Sequence, residues 1–429
     1  MRNVFFAALI LSVISGCKPP EKAQTKSLDD IANQYVKLAL EIGQYNPDFI
    51  DAYYGPENWN PKKQVRKALP YEELKWQTTA LINQLGSIDD MSFEEVELLR
   101  YQFLVKQLQA VRTKLDMLSG KEYPFDVESL RLYDVVAPHT DLVVYDSLLN
   151  ELDNALPGEG TIADRYVAFS SEFIIPPDKL DIVFSAAIDE ARKRVKQHIE
   201  MPEEENFEVE YVTNKPWSGY NWYKGKSYSL IQINTDLPIC IDRAIDLACH
   251  EGYPGHHLYN VLLEQKLVKG RHWNEYQVYP LFTPQSFIAE GSAQYGIEIT
   301  FSKEDRFEYE RDVLFPLAGL NPTRIDEYYE VQSIRKELMH AINDIARMYI
   351  NREIDPETTV EHLVKYLQYT NERAQKKLAF FDRYRSYVIN YSQGEEFIRQ
   401  HIEDEVADGK TKWKAFEEII STPRSASTL

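Results

Sequence analysis

Along most of this chain apolar residues return every three or four positions, the spacing that gathers them on one face of a helix. Between residues 27 and 118 one such face is Ile31, Ala32, Tyr35, Val36, Leu38 and Ala39. Another is Leu98, Leu99, Phe103, Leu104, Leu108, Val111 and Leu115. Tyr45-Asn46-Pro47 and Tyr54-Gly55-Pro56 interrupt this stretch as loops. The spacing predicts shorter helices over 142–156 and 162–173. It predicts a long one over 178–200, where Ile182, Val183, Ala186, Ala187, Ala191 and Val195 share a side. The period changes after Met201. Met201-Pro202-Glu203-Glu204-Glu205 reads as an acidic, solvated turn. Residues 207–212 alternate at period two, as a strand does, and 228–234 read as a second strand, with an aromatic stretch, 217–223, between them. From Asp242 to about Ile420 the helical spacing returns. The expectation is a mainly α fold with one small antiparallel sheet just before a histidine-rich segment. The chain then divides into an N-terminal helical region, 28–200, and a second region, 201–429, that carries the candidate chemistry.

The first residues bear on address. Arg2 precedes an apolar run from Val4 to Ile14, too short for a bilayer, which takes about 20 apolar residues. It has the size of a secretory h-region. It ends in Ile14-Ser15-Gly16-Cys17, a pattern that resembles a bacterial lipobox. Residues 1–16 are therefore expected to be a lipoprotein signal peptide. Cys17 is then the lipidated residue and 17–27 a polar tether. This predicts a protein anchored at the membrane of the cell envelope, facing periplasm or exterior. The formal charge of −20 excludes a nucleic-acid partner, because phosphate contacts need a basic surface. Three cysteines, one of them Cys17, rule out a disulfide framework. Cys240 and Cys249 are expected to be buried free thiols.

The chemistry concentrates in Ala248-Cys249-His250-Glu251-Gly252-Tyr253-Pro254-Gly255-His256-His257. Three of the chain's nine histidines lie here. Zinc favours imidazole and carboxylate ligands, and a catalytic site keeps three of them and leaves one position open. In the common helical form two His at i and i+4 hold the ion and the Glu between them is the base. Here the second His comes at i+6 or i+7. Position i+7 regains the face of His250 but lies about 10 Å further along an unbroken helix, and i+6 points off that face. Pro254 removes a backbone donor and Gly255 is permissive, so the helix is expected to break there and return His256 or His257 to His250. The shorter detour favours His256; the other ring then serves nearby. Glu290, in a segment of small residues from Phe287 to Tyr295, is the candidate third ligand. Glu251 is the candidate general base. Tyr253, Tyr387, Tyr391, His340 and the spare His are candidates to stabilise an oxyanion. Asp246, one turn before His250, is expected to orient that ring. The strand 229–234 is expected to offer an open edge to an extended peptide.

At these residues the chain resembles the bacterial domain-of-unknown-function family numbered 885, a branch similar to the gluzincin-type zinc metallopeptidases. That family's His-Glu-x-Tyr-Pro-Gly-His-His run stands here as His250 to His257. Gln232-Ile233-Asn234 with Pro238 upstream, and Ala289-Glu290-Gly291-Ser292-Ala293 downstream, also match. The chain departs from the family at Ser292, where a Trp is usual. It departs again around 335–351, where His340, Asp344 and Arg347 are differently arranged, and before Tyr391-Ser392-Gln393-Gly394, where a Pro-Gly-Gln run is missing. The resemblance implies a helical metallopeptidase-like fold and zinc-dependent hydrolysis of a peptide or small amide. It fixes neither the substrate nor the oligomeric state.

Two functional expectations follow, from different classes. One is an envelope zinc peptidase or amidohydrolase. The other is a non-catalytic surface lipoprotein that binds peptide or another ligand, its metal site structural or vestigial. His139, His198, His272, His362 and His401 are expected to be core residues satisfied by hydrogen bonds. Arg335 is read as structural or substrate-positioning.

Overall fold

A computed structural model describes residues 27–61, 68–215 and 217–429 of the chain. The signal segment, Cys17 and most of the tether lie outside the described residues. Among the described residues no helix is long and apolar enough to cross a membrane.

The helices start and stop where local chemistry directs them. Leu28–Gly43 begins at a reciprocal cap, in which Ser27 Oγ accepts from the Asp30 amide at 3.1 Å and the Asp30 carboxylate accepts from the Ser27 amide at 3.3 Å. Its apolar face, with Ile31, Tyr35, Leu38 and Ile42, is buried. Glu95–Leu118, Asp146–Ala155, Ile162–Ser171 and Leu180–Val195 follow as the spacing predicts, each trimmed by a few residues at its ends. A single apolar core runs through them from Ile31 to Ala426.

Five short strands form two sheets. β1 (Ile50–Tyr53) pairs antiparallel with β5 (Val278–Pro280), Ala52 opposite Tyr279. This pair was not expected, because β1 lies between two loop signals and is only four residues long. The other sheet contains β2 (Asn206–Val212), β3 (Gly219–Tyr223) and β4 (Tyr228–Asn234) in the order β2-β4-β3. It is mixed rather than antiparallel: β3 and β4 form a hairpin, while β4 runs parallel to β2. β4 is therefore the central strand and has no open edge, contrary to expectation. The free edge beside the histidine segment belongs to β3.

Two helices form the floor of the candidate site. Pro284–Thr300 is buried along nearly its whole length, and its small residues let Ile389–Ala407 approach closely. A Cβ at Gly291 would lie 2.6 Å from the Gly394 backbone, so side chains cannot fit at that crossing. Glu290, one residue from the crossing, is held where two backbones fix its position.

Candidate metal centre

The helix Asp242–Leu247 passes into one wide turn, Ala248–Gly252, that carries His250 and Glu251. The chain then leaves helical geometry at Tyr253 and Pro254 and restarts as His256–Leu263, with Gly255 as the cap residue. The Gly255 amide donates to the Cys249 carbonyl at 2.9 Å, which folds the loop back on the turn it left. A Cβ at Gly255 would meet the His250 carbonyl oxygen at 1.9 Å. Only glycine allows this return. It sets the His256 ring against the His250 ring, centroids 4.7 Å apart and planes at 88°.

One ligand atom from each of His250, His256 and Glu290 falls within 4.8 Å of the others. His250 Nε2 lies 3.3 Å from Glu290 Oε2, and His256 Nε2 lies 3.7 Å from Glu290 Oε1. Ligands at zinc distances of about 2.0–2.1 Å in a tetrahedron stand about 3.3 Å apart, so this spacing fits an ion between them. The hydrogen bonding agrees. Glu290 Oε2 is buried and has no hydrogen-bond partner, despite the short distance from Glu290 to the His250 ring. An orphaned acceptor of this kind is costly in a closed site. Glu290 Oε1 accepts from the Tyr387 hydroxyl at 2.9 Å, which fixes the carboxylate plane. Burial opposes the charged form of both partners, yet the Glu290 charge lifts His256 to about 9. In return His256 and His250 hold Glu290 well below the carboxylate range. A field that retains positive charge on an imidazole favours a cation at the same place.

Glu251 stands beside this group without joining it. It is 4% exposed, its Oε2 has no partner, and its backbone carbonyl accepts from Asn221 Nδ2 at 2.8 Å. Burial raises its pKa; the nearby His250 and His256 work against that and Glu290 adds to it. β3 crosses closely above it, where a Cβ at Gly219 would lie 2.9 Å from Glu251 Oε1. Tyr391 is half-buried beside Tyr387, ring centroids 5.9 Å apart. Burial, then Glu290 and Glu251, push its hydroxyl far above the ordinary phenol range, so it stays a hydrogen-bond donor.

Several expected roles fall elsewhere. His257 turns away from the candidate ligands. Its Nδ1 lies 2.8 Å from Ser229 Oγ and its Nε2 3.2 Å from Glu205 Oε2. His256 and His257 are successive positions at a helix start, so their side chains diverge by about 100°. Tyr253 also donates to Glu205, at 2.6 Å, and is not available to an oxyanion. Asp246 does not orient His250; it pairs with Arg243 and Arg306, each at 2.9 Å. His340 sits at the start of Ala341–Ile350, and no hydrogen bond or ion pair of the three ligand candidates involves it among the described residues. Glu205, expected in a solvated turn, is 2% exposed. Cys240 and Cys249 are free, but only Cys249 is fully buried. His139, His198 and His272 are exposed rather than core; His139 pairs with Asp344 at 3.0 Å and His198 stacks on Trp413 at 4.4 Å.

The structure adds residues that the spacing did not mark. Asp51 on β1 accepts a hydrogen bond from Tyr220 on β3. Burial is the largest influence on Asp51 and raises it to about 6, with Glu290 and Glu251 acting the same way and Tyr220 and His256 against. Nothing in the local sequence distinguishes Asp51 from a loop carboxylate; only the β1–β5 pairing brings it in.

No protein-family model and no curated protein matches the chain. Among solved structures it is similar to a candidate lipoprotein from Colwellia psychrerythraea, 14% identical with a TM-score of 0.52, over 86% of this chain and 69% of that one. Looser likenesses are a candidate lipoprotein of unknown function from Shewanella oneidensis (14% identical, TM-score 0.48, 83% of this chain and 71% of that one) and an M32 carboxypeptidase from Deinococcus radiodurans R1 (11%, 0.36, 91% and 87%). The Colwellia protein and this chain share a fold, and the likeness goes no further than that.

Proposed function

We propose that this chain is a zinc-dependent hydrolase of the cell envelope, a peptidase or amidohydrolase, tethered through lipid on Cys17. One observation carries the reading: two imidazoles and a carboxylate converge with unpaired atoms beside a second buried carboxylate that has a free oxygen. His250, His256 and Glu290 would hold the ion. When bound, zinc supplies Lewis acidity, lowering the pKa of a water and polarising a carbonyl. Glu251 Oε2 takes a proton from the attacking water and delivers it to the leaving nitrogen. The phenol of Tyr391 donates to the oxygen on which charge develops. Tyr387 keeps Glu290 in place, and the open edge of β3 aligns an extended substrate across Glu251. The His250 to His257 run supports a relation to the domain-of-unknown-function family numbered 885. The lipobox-like Cys17 and the likeness to a candidate lipoprotein support the envelope address.

The test pairs composition with kinetics. Purified protein should carry about one zinc per chain. Glu251→Gln should keep that zinc and lose about 10²–10⁴-fold of the hydrolysis of any peptide or acyl amide that the wild type cleaves. Full activity in Glu251→Gln would remove the proposed base.

A further inference from the structure

The protein carries 68 acidic residues against 48 lysines and arginines, so a cation without an acidic partner stands out. Three such cations gather around the buried phenol of Tyr369. The Arg373 guanidinium lies 4.2 Å above the Tyr369 ring, and Lys377, one turn later, has its Nζ 4.3 Å from the Phe380 ring. Arg335 reaches the same place from the helix Ile325–Leu338. It is bonded to the Tyr166 hydroxyl at 2.5 Å and to Gln332 Oε1 at 2.9 Å, and its Nε is buried without a partner. None of the three forms an ion pair with a carboxylate among the described residues. The nearby acids are used elsewhere: Glu372 pairs with Lys376, Asp382 accepts from Tyr349, and Asp236 accepts from the Asn214 and Lys215 amides. Burial lowers the Lys377 pKa, with Tyr369 opposing and Arg373 adding to the shift, and the three cations together pull Tyr369 down against its own burial. Like charges held close together repel one another, and an anion that joins them relieves that repulsion.

The cluster is connected to the candidate metal centre. Arg373, Lys377, Phe380 and Tyr384 lie on one face of Asn371–Tyr384, at spacings of four, three and four. Phe380 packs on Tyr384 at 4.8 Å and Tyr384 faces Tyr387 at 6.1 Å; Tyr387 holds Glu290. Lys377 and Tyr384 are about 10 Å apart along the helix axis. An extended peptide spans that distance in about three residues, at about 3.3 Å each. The two ends of this run differ in charge, with Asp51, Glu251 and Glu290 at one end and Arg335, Arg373 and Lys377 at the other.

We propose that Arg335, Arg373 and Lys377 bind the terminal carboxylate of a peptide substrate, several residues beyond the bond placed at His250, His256 and Glu290, since the run continues past Tyr384 through Tyr387 to Glu290. The proposal rests on the hydrolase reading. It makes the enzyme a trimmer of short peptides from the carboxyl end.

The probe is a pair of acetylated random hexapeptide libraries, one with free carboxyl ends and one amidated, so that acidic side chains are equal in both. Full-length zinc-loaded Glu251→Gln protein should retain the free-acid library about tenfold better, the value of one good charge-assisted contact. The double variant Arg373→Gln/Lys377→Gln, made in that background, should lose the preference, and Arg373→Lys/Lys377→Arg should keep it. Equal retention of both libraries, retention of neither, or a preference that survives Arg373→Gln/Lys377→Gln overturns the anchor. Wild-type protein separates this from the hydrolase reading. Cleavage of both libraries at equal rates overturns the anchor and leaves the hydrolase. A free-acid preference without any cleavage supports the anchor and overturns the hydrolase.

Discussion

His256 and His257 are neighbours in the chain and have opposite surroundings. His256 faces His250 and Glu290, in a group with unpaired buried atoms and room for a cation. His257 is completely buried, and both its nitrogens are engaged, by Ser229 and Glu205. Glu205 is in turn bonded to Tyr253 and paired with Arg192. A carboxylate can only accept, so the His257 Nε2 donates to Glu205 and Nδ1 takes the Ser229 hydroxyl. Burial lowers the His257 pKa, and Glu205 is held ionised by His257, Tyr253 and Arg192 against its own burial. A satisfied network stiffens a fold, while an unsatisfied one invites a ligand. On the proposed reading the first histidine serves the metal centre, and the second the support beneath it.

The largest expected effect comes from removing the open side of this contrast. His256→Ala should reduce zinc affinity by at least about a thousandfold, as loss of one of three ligands, measured by competition with a chelator of known strength. Unchanged affinity would remove His256 from the site. His257→Ala should keep zinc binding and instead lose about 2–4 kcal/mol of stability, because Glu205 stays buried beside a cavity with one of its partners gone. Urea unfolding of the zinc-loaded and zinc-free forms would show this. Loss of zinc without loss of stability would invert the two roles.

Much of this was legible in the sequence. The helical periodicity gave the long elements, and the His-Glu-x-Tyr-Pro-Gly-His-His run gave two of the three candidate ligands and the break between them. Choosing between the two histidines was harder, because i+6 and i+7 are both off-register for an intact helix. The fold chooses through Gly255, whose missing side chain lets the loop tuck against the His250 carbonyl. Glu205 looked like one of three solvated acids, since the sequence shows no trace of the Arg192 and Tyr253 that meet it from 13 residues before and 48 after. Asp51 and the parallel β2–β4 pairing were hidden for the same reason: both depend on contacts between distant segments. Asp246 was misread because helical spacing places it near His250 but does not reveal the two arginines that claim it.

A smaller effect should come from Asp51, on the open side. Burial raises its pKa from 3.8 to about 6, so the folded metal-free protein holds that proton more tightly than the unfolded chain does. The associated stability is present in full below about pH 4 and is lost as pH rises through 6. Asp51→Asn should flatten stability between pH 4 and 7 and raise it at pH 7 by about 2 kcal/mol. An unchanged pH profile in urea melts would contradict this. The smallest effect should be Tyr387→Phe, which frees one oxygen of Glu290 while leaving all three ligands. Zinc affinity should fall about tenfold, as for other groups that orient a ligand, and a thousandfold loss would mean that Tyr387 itself is a ligand.

The most direct test is diffraction from zinc-soaked crystals at the zinc absorption edge. The account predicts one anomalous peak within about 2.0–2.2 Å of His250, His256 and Glu290, with a fourth position open toward Glu251. A peak between His257 and Glu205, or no peak at either place, would contradict it.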